Sequence, residues 1–344
     1  VRIALDATYS IDKYPSGIAV YSQEILQGLA AAHPQDSFFH CYRPKQYPQA
    51  PRKSSQNVEI HTLLPLLGGV FTRPDVFHAL NQRVDRRLGR RVVATFHDLF
   101  VMTGEYSSVD FRRRFAQQAR IAERNSDMII AVSEFTANQV REMLGVARSR
   151  LRVIGHGVHP PRLAVRAEEK LVLSVGAIQL RKNTARLVEA FEALPQDWTL
   201  VLAGAPSGYG AEQILGRIES SRAKQRIHVA GYVSAEELER LYTRAAIFAF
   251  PSLDEGFGMP LLEAMAHGVP VVTSNCSALP EVAGGAALLV DPKNVAEIAA
   301  ALSELADDGD LRGRLANAGR ARAESFTWQR AVNETYAVYR KLVY

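Results

Sequence analysis

Short runs rich in β-branched and aromatic residues alternate with longer stretches of helical period along almost the whole chain, and this alternation constrains the fold more than any other feature. In the first half the predicted strands are Arg2–Ala7, Phe38–Tyr42, Val58–Leu63, Asp75–Ala79, Val92–Phe96, Met128–Val132 and Arg152–Ile154. Helical periods cover Ser16–Ala32, Ser107–Arg124 and Glu134–Leu144. In the second half Leu171–Val175, Thr199–Ala203, His228–Ala230, Ile247–Phe250, Val269–Thr273 and Ala287–Val290 read as strands, again separated by helices. A run such as Leu200-Val201-Leu202-Ala203 is apolar on both faces, which suits a parallel strand covered by helices on either side. The expectation is an α/β protein of two βαβ-type domains.

Length supports that division, because 344 residues exceed the roughly 250–300 at which a single core stops growing. The boundary is predicted at the turn-rich His156-Gly157-Val158-His159-Pro160-Pro161, ahead of the charged segment from Arg166 to Lys170. Residues 1–160 form the expected first domain and 166–327 the second. The last stretch, 328–344, carries Trp328, Tyr336, Tyr339 and Tyr344 at helical period. It is too apolar to hang free, so it is expected to pack back onto the first domain.

Several function classes fall away on composition. Hydrophobic residues make up 47% and charged residues 22%, which excludes disorder and collagen-like repeats. The apolar stretch from His61 to Thr72 is broken by Pro65 and Gly68-Gly69 and is shorter than the roughly 20 residues a membrane-spanning helix needs. The opening residues alternate like a strand and lack the apolar segment of a secretory signal, so a cytoplasmic location is expected. Cys41 and Cys276 are the two cysteines, which argues against a disulfide framework or a thiolate metal site. The net charge of +5 is uneven: residues 1–165 hold 22 Lys/Arg against 14 Asp/Glu, whereas the rest hold 19 against 22. A basic first half points to a polyanionic partner, whether nucleic acid, an anionic bilayer or a phosphorylated substrate.

The most informative string runs from Glu255 to Val272, EGFGMPLLEAMAHGVPVV. It reads as a Gly-flanked loop, a helix with Pro260 at its first position, a stop at Gly268 and a strand. The N–H groups of Leu261 and Leu262 are then expected to point out of the helix N-terminus, a ready site for an anion. Glu255 in the loop and Glu263 one turn inside the helix are placed to frame one cleft. A first-turn Glu also complements a helix dipole, and a Gly-Phe-Gly loop is also an ordinary turn.

Taken whole, the string resembles the carboxylate, seven-residue spacer, carboxylate signature of glycosyltransferase family 4, and the resemblance covers most of the chain. It implies the GT-B fold, two Rossmann-like domains facing across a cleft, and a retaining, metal-independent enzyme that uses a nucleotide sugar. Other segments resemble the same family. Arg181 and Lys182 in VGAIQLRKN match the cations that hold the donor diphosphate, although Ala177 stands where many relatives carry Arg. Gly17, in Ser16-Gly17-Ile18-Ala19, resembles the Gly loop beside that diphosphate. His97, at the end of a predicted strand, corresponds to a catalytic histidine near the donor sugar and acceptor, and Glu255 is the second residue the resemblance marks as catalytic. Val233, in the loop Gly231-Tyr232-Val233-Ser234, matches the segment that receives the base; Ser234 with Glu237 reads equally as a capping box. Donor binding is further expected from Phe257, Gly258, Met259, Leu261, Leu262 and Glu263.

No metal or other cofactor is expected. The acidic Asp307-Asp308-Gly309-Asp310 reads as a turn between helices, and no His or Cys ligands stand at metal spacing. The expected partners are a nucleotide sugar, with GDP-mannose favoured over UDP-sugars, and a glycan or lipid-linked acceptor. Peripheral contact with an anionic membrane is a further expectation: the basic helix around Phe111-Arg112-Arg113-Arg114-Phe115 and an apolar lip from Thr62 to Phe71 suit such a surface. Nucleic acid is not expected, because no stacking aromatics or recognition helix accompany the charge. Two alternatives stand beside the transferase reading: a nucleotide-sugar 2-epimerase of similar architecture, and a non-catalytic nucleotide-sugar binder.

Overall fold

The computed structural model describes residues 1–12, 16–52, 55–63, 73–163 and 168–344. Among the described residues thirteen strands appear where the alternation predicts them, most within one or two residues of the predicted bounds. Most of the apolar lip expected from Thr62 to Phe71 lies outside the described residues.

The chain divides into two units, Val1–Thr103 with Ser108–Gly157 and Thr327–Tyr344, and Gly104–Ser107 with Val158–Phe326. In the first, β1 (Arg2–Asp6), β2 (Ser37–Tyr42), β3 (Val58–Thr62), β4 (Val76–Ala79), β5 (Arg91–Phe96), β6 (Met128–Ala131) and β7 (Leu151–Val153) form one parallel sheet. Its strand order is β3-β2-β1-β4-β5-β6-β7. The helices are α1 (Gly17–Ala32), α2 (Phe100–Thr103), α3 (Val109–Asn125) and α4 (Glu134–Leu144). Each of the three longer ones begins where a serine in extended backbone caps it: Ser16, Ser108 and Ser133 accept from Ala19, Phe111 and Thr136 N–H.

The second unit contains β8 (Glu169–Val175), α5 (Thr184–Phe191), β9 (Thr199–Ala203), α6 (Ala211–Glu219), β10 (Ile227–Gly231), α7 (Ala235–Arg244), β11 (Ala245–Phe250), α8 (Met259–Ala266), β12 (Val271–Ser274), α9 (Leu279–Ala283), β13 (Leu288–Val290), α10 (Val295–Asp307) and α11 (Gly309–Ala323). Its sheet is again parallel, ordered β10-β9-β8-β11-β12-β13. All six residues of β11 are buried, as a central strand covered on both faces requires. Asp308 caps α11 by accepting from Leu311 N–H at 2.8 Å, so the acidic run is a helix-to-helix turn.

Both sheets reverse direction beside their first strand, the Rossmann pattern. In such sheets ligands bind outside the carboxyl ends of the strands at that reversal. The chemistry is therefore to be sought after β1, β4 and β5 in one unit and after β8 and β11 in the other.

The final helix, α12 (Trp328–Val343), belongs to the first unit and packs on α1. Trp328, Val332, Thr335 and Tyr339 bury one face at helical spacing. A Cβ at Gly28 of α1 would lie 2.4 Å from Val332 Cγ2, so the two helices meet where a side chain is missing.

Candidate functional site

In the second unit the loops after β8 and β11 are locked together. Asn183, in left-handed backbone with φ 59°, closes the turn Leu180–Lys182 and donates from Nδ2 to Pro251 O at 3.0 Å and Pro292 O at 2.6 Å. Leu253 N–H donates to Arg181 O at 2.8 Å. These bonds bring Arg181 and Lys182 against Glu255 from more than 70 residues away. Arg181 Nη1 lies 2.8 Å from Glu255 Oε2, and Lys182 Nζ donates to Oε1 at 2.6 Å. Arg181 also donates to Asp254 O, while Lys182 Nζ sits 4.6 Å from the centre of the Phe250 ring.

Glu255 is only 8% exposed. Burial pushes its pKa up, but the two cations and their hydrogen bonds outweigh this and hold it down at about 2. The carboxylate is ionised across the working pH range, and the trio keeps one net positive charge at the carboxyl end of the sheet. A fixed cation pair there suits a diphosphate.

Two glycines allow the backbone to come close at this point. Gly176 follows β8 with φ +140°, and its Cβ would meet Lys182 Cε at 3.1 Å. A Cβ on Gly204, which follows β9, would fall 2.0 Å from Gly176 O.

The string from Glu255 to Glu263 is arranged differently from the expectation at the start of its helix. Helix α8 begins at Met259, so Pro260 is its second residue. Gly258, at φ +103°, turns its carbonyl toward the helix and accepts from both Leu261 N–H at 3.1 Å and Leu262 N–H at 3.3 Å. Those two amides do not point out of the helix end, as the sequence reading expected, and their side chains are buried. The N–H groups of Gly258 and Met259 have no backbone acceptor among the described residues. Glu263, one turn inside α8, has a partner of its own apart from the cations. It accepts from Tyr242 Oη at 2.9 Å, and burial is the main influence on it, raising its pKa to about 7. The Tyr242 ring stacks on His267, 4.9 Å between centroids.

Phe257 is buried, its ring edge-on to Phe326, so its side chain packs and only its backbone is left for a ligand. Val233 lies in the loop between β10 and α7, where Ser234 caps α7 by accepting from Glu237 N–H at 3.1 Å. Among the described residues no group of three or more His, Cys, Asp or Glu is placed to hold a metal ion.

The remaining two site residues belong to the first unit. Gly17 is exposed at the first position of α1. His97 follows β5, is 6% exposed, and its Nε2 lies 2.8 Å from Leu80 O. A carbonyl only accepts, so Nε2 carries the proton and Nδ1 keeps its lone pair. Burial lowers the pKa to about 4 against the opposing effect of that carbonyl, so the ring is neutral near pH 7.

The sequence reading missed what surrounds His97. His156 stacks on it at 5.4 Å and Tyr21 meets it edge-on at 4.8 Å. Tyr21 Oη bonds Thr95 Oγ1 at 2.9 Å, Thr95 bonds His78 Nε2 at 2.8 Å, and His78 Nδ1 bonds Tyr339 Oη of α12 at 2.5 Å. The available signal was Tyr21 four residues after Gly17 and two histidines at or just past strand ends.

Comparison with known proteins gives the family and the fold. The family model described as Glycosyltransferase Family 4 matches residues 15–162, and that described as Glycosyl transferases group 1 matches residues 158–322. The chain is 30% identical to O-antigen chain mannosyltransferase B of Escherichia coli, over 96% of this chain and 97% of that protein. It is 33% identical to MMP alpha-(1->4)-mannosyltransferase of Mycolicibacterium hassiacum, over 69% of this chain and 58% of that protein. The sucrose-phosphate synthase structure from Thermosynechococcus elongatus superposes with a TM-score of 0.79 at 21% identity, covering 99% of this chain and 98% of that one. The chain thus belongs to glycosyltransferase family 4, and it is a glycosyltransferase built of two Rossmann-like domains of the GT-B type.

Proposed function

We propose that the protein transfers mannose from GDP-mannose to a hydroxyl of a glycan or lipid-linked acceptor, with retention of anomeric configuration and without a metal. The observation that carries the donor site is the trio of Arg181, Lys182 and Glu255 at the reversal of the second sheet. The mannosyl donor is supported by the whole-length likeness to a protein named an O-antigen chain mannosyltransferase.

In this reading the Arg181 guanidinium forks two phosphate oxygens and Lys182 adds a compact charge, so both stabilise the diphosphate as it departs. Glu255 holds the two cations in register and, with the amides of Gly258 and Met259, faces the sugar hydroxyls. Glu263 receives the ribose hydroxyls. Gly17 offers backbone to the diphosphate, and Val233 backs the base. Neutral His97 presents Nδ1 as an acceptor to the reacting sugar or the incoming hydroxyl.

Retaining hydrolases use one carboxylate as nucleophile and a second as acid and base. Here Glu255 is committed to two cations, which supports substitution on one face: the bond from the anomeric carbon to phosphate oxygen breaks, the bond to the acceptor oxygen forms on the same side, and the acceptor proton passes to the departing diphosphate. Buried Arg181 and half-buried Lys182, with one net positive charge left after Glu255, provide charge that a metal would otherwise supply. Val109 and Phe111 are exposed at the start of α3 next to exposed Arg113 and Arg114, which supports docking on an anionic bilayer that carries a lipid-linked acceptor.

A thermal-shift screen of nucleotide sugars tests the donor. Ligand at 100 times its Kd stabilises by about 2.7 kcal/mol, so GDP-mannose is expected to raise Tm by several degrees and UDP-sugars by less. The reverse order would reassign the base. Incubation with GDP-mannose alone separates the alternatives: a 2-epimerase converts the donor without acceptor, and a passive binder leaves it intact even with one. Co-sedimentation with anionic liposomes at low salt tests docking; protein that stays in the supernatant removes it.

A further inference from the structure

The first unit has its own strand reversal, between β1 and β4, and a polar cluster stands at its carboxyl end. Asp6, the last residue of β1, pairs in register with Ala79 of β4, two residues before Asn81. Asp6 is fully buried and Asn81 is 3% exposed. One carboxylate oxygen of Asp6 is engaged: Oδ1 accepts from Thr8 N–H at 3.1 Å and from the Thr8 hydroxyl. The other, Oδ2, is buried and has no hydrogen-bond partner among the described residues. Asn81 is likewise half engaged. Its Oδ1 accepts from Arg83 N–H at 2.7 Å, which fixes the orientation of the amide, and Nδ2 is buried without an acceptor among the described residues. Arg43, whose backbone N–H donates to Thr8 Oγ1 at 3.1 Å, places Nη2 3.8 Å from Asp6 Oδ2.

Two half-satisfied buried groups of opposite hydrogen-bonding character, at and just past the ends of two paired strands, are costly unless something completes them. A sugar hydroxyl is both donor and acceptor and does so. The charge balance argues against a phosphate: Arg43 and Arg83 are offset by Asp6 and Asp85, with Arg43 Nη1 3.0 Å and Arg83 Nε 3.9 Å from Asp85 Oδ2, and an anion would meet the open Asp6 oxygen. We propose that this cluster is the subsite for the acceptor's terminal sugar, with Asp6 Oδ2 accepting from its hydroxyls and Asn81 Nδ2 donating to them. The proposal rests on the transferase reading for the word acceptor, and its recognition chemistry stands apart from the donor.

The test uses methyl α-D-mannopyranoside as probe. Saturation-transfer NMR on the whole protein is expected to give a signal for the methyl mannoside with wild type and none with Asn81→Ala. Transfer from GDP-mannose to octyl α-D-mannopyranoside is expected to show an acceptor KM raised at least tenfold in Asn81→Ala and Asp6→Asn, the scale for one hydrogen bond to a buried polar partner. The donor KM and the GDP-induced shift in Tm should stay unchanged. Asn81→Ser is the milder variant should the others lose stability, and an intermediate acceptor KM is expected from it. No saturation transfer in wild type, or wild-type acceptor KM in folded variants, overturns the subsite. So does a fall of donor and acceptor affinity together, which would make the cluster a structural one. A saturation-transfer signal that Asn81→Ala abolishes, with no transfer from any nucleotide sugar, would sink the transferase mechanism and leave the subsite standing.

Discussion

Replacing Glu255 with Gln keeps the size of the side chain and removes its charge. In the folded protein the Glu255 pKa is held at about 2 against an ordinary value of 4.5, because Arg181 at 2.8 Å and Lys182 at 2.6 Å outweigh the cost of burial. The fall from 4.5 to about 2, at about 1.36 kcal/mol for each tenfold change in proton affinity, is worth about 3 kcal/mol of stability. A carboxyl whose folded pKa is depressed contributes fully above its unfolded pKa and loses the contribution as pH falls through the folded value. The gap between wild type and Glu255→Gln is therefore expected to be about 3 kcal/mol at pH 7, to shrink below pH 4.5 and to close near pH 2. For a unit of this size each kcal/mol moves Tm by roughly 2–4 °C, so calorimetry at pH 7 should show a fall of roughly 6–12 °C. The two cations keep their charge in the variant, so GDP should stabilise it at least as much as it does wild type while transfer collapses. A variant within about 1 kcal/mol of wild type from pH 3 to 8, with normal turnover, would refute the reasoning, since the trio would then be a solvated surface contact.

Four further outcomes are expected. Lys182→Ala should lower turnover by about 10²–10³, the scale for losing one preorganised charge stabiliser, and a folded variant with near-normal turnover would reject that role. Glu263 has its pKa raised to about 7 by burial, so its contribution to stability is complete below pH 4.5 and is lost as pH rises through 7; Glu263→Gln should exceed wild type by up to about 3 kcal/mol at pH 8 in urea melts and bind GDP more weakly. His97→Ala should lose transfer and keep donor affinity, and because burial holds wild-type His97 near pKa 4, transfer should show no His97 titration between pH 5.5 and 8. Gly204→Ala should lose more stability than the 1–3 kcal/mol usual for overpacking, because the new Cβ would fall 2.0 Å from a backbone carbonyl that cannot step aside; soluble protein with wild-type Tm would contradict this.

Strand positions were legible because fully buried parallel strands leave continuous apolar runs, and β11 is an example. The start of α8 differs by one residue from the sequence expectation. Proline suits the first helical position, but Gly258 adopts a left-handed conformation that no local pattern announces, and that conformation turns its carbonyl onto Leu261 and Leu262. Arg181, Lys182 and Glu255 were each visible in the sequence, while their ion pairing was not, because it depends on Asn183 reaching two carbonyls in distant loops. Asp6 and Asn81 were hidden for the same reason: the pairing of β1 with β4 joins residues more than 70 positions apart. The chain from Tyr21 through Thr95 and His78 to Tyr339 spans nearly the whole sequence and consists of residues that singly read as core.

The most direct test of the central claim is the NMR configuration of the first glycoside formed from GDP-α-D-mannose and a mannoside acceptor. The account predicts an α-linked product whose yield tracks GDP release. A β-linked product, or GDP release with free mannose alone, would contradict it.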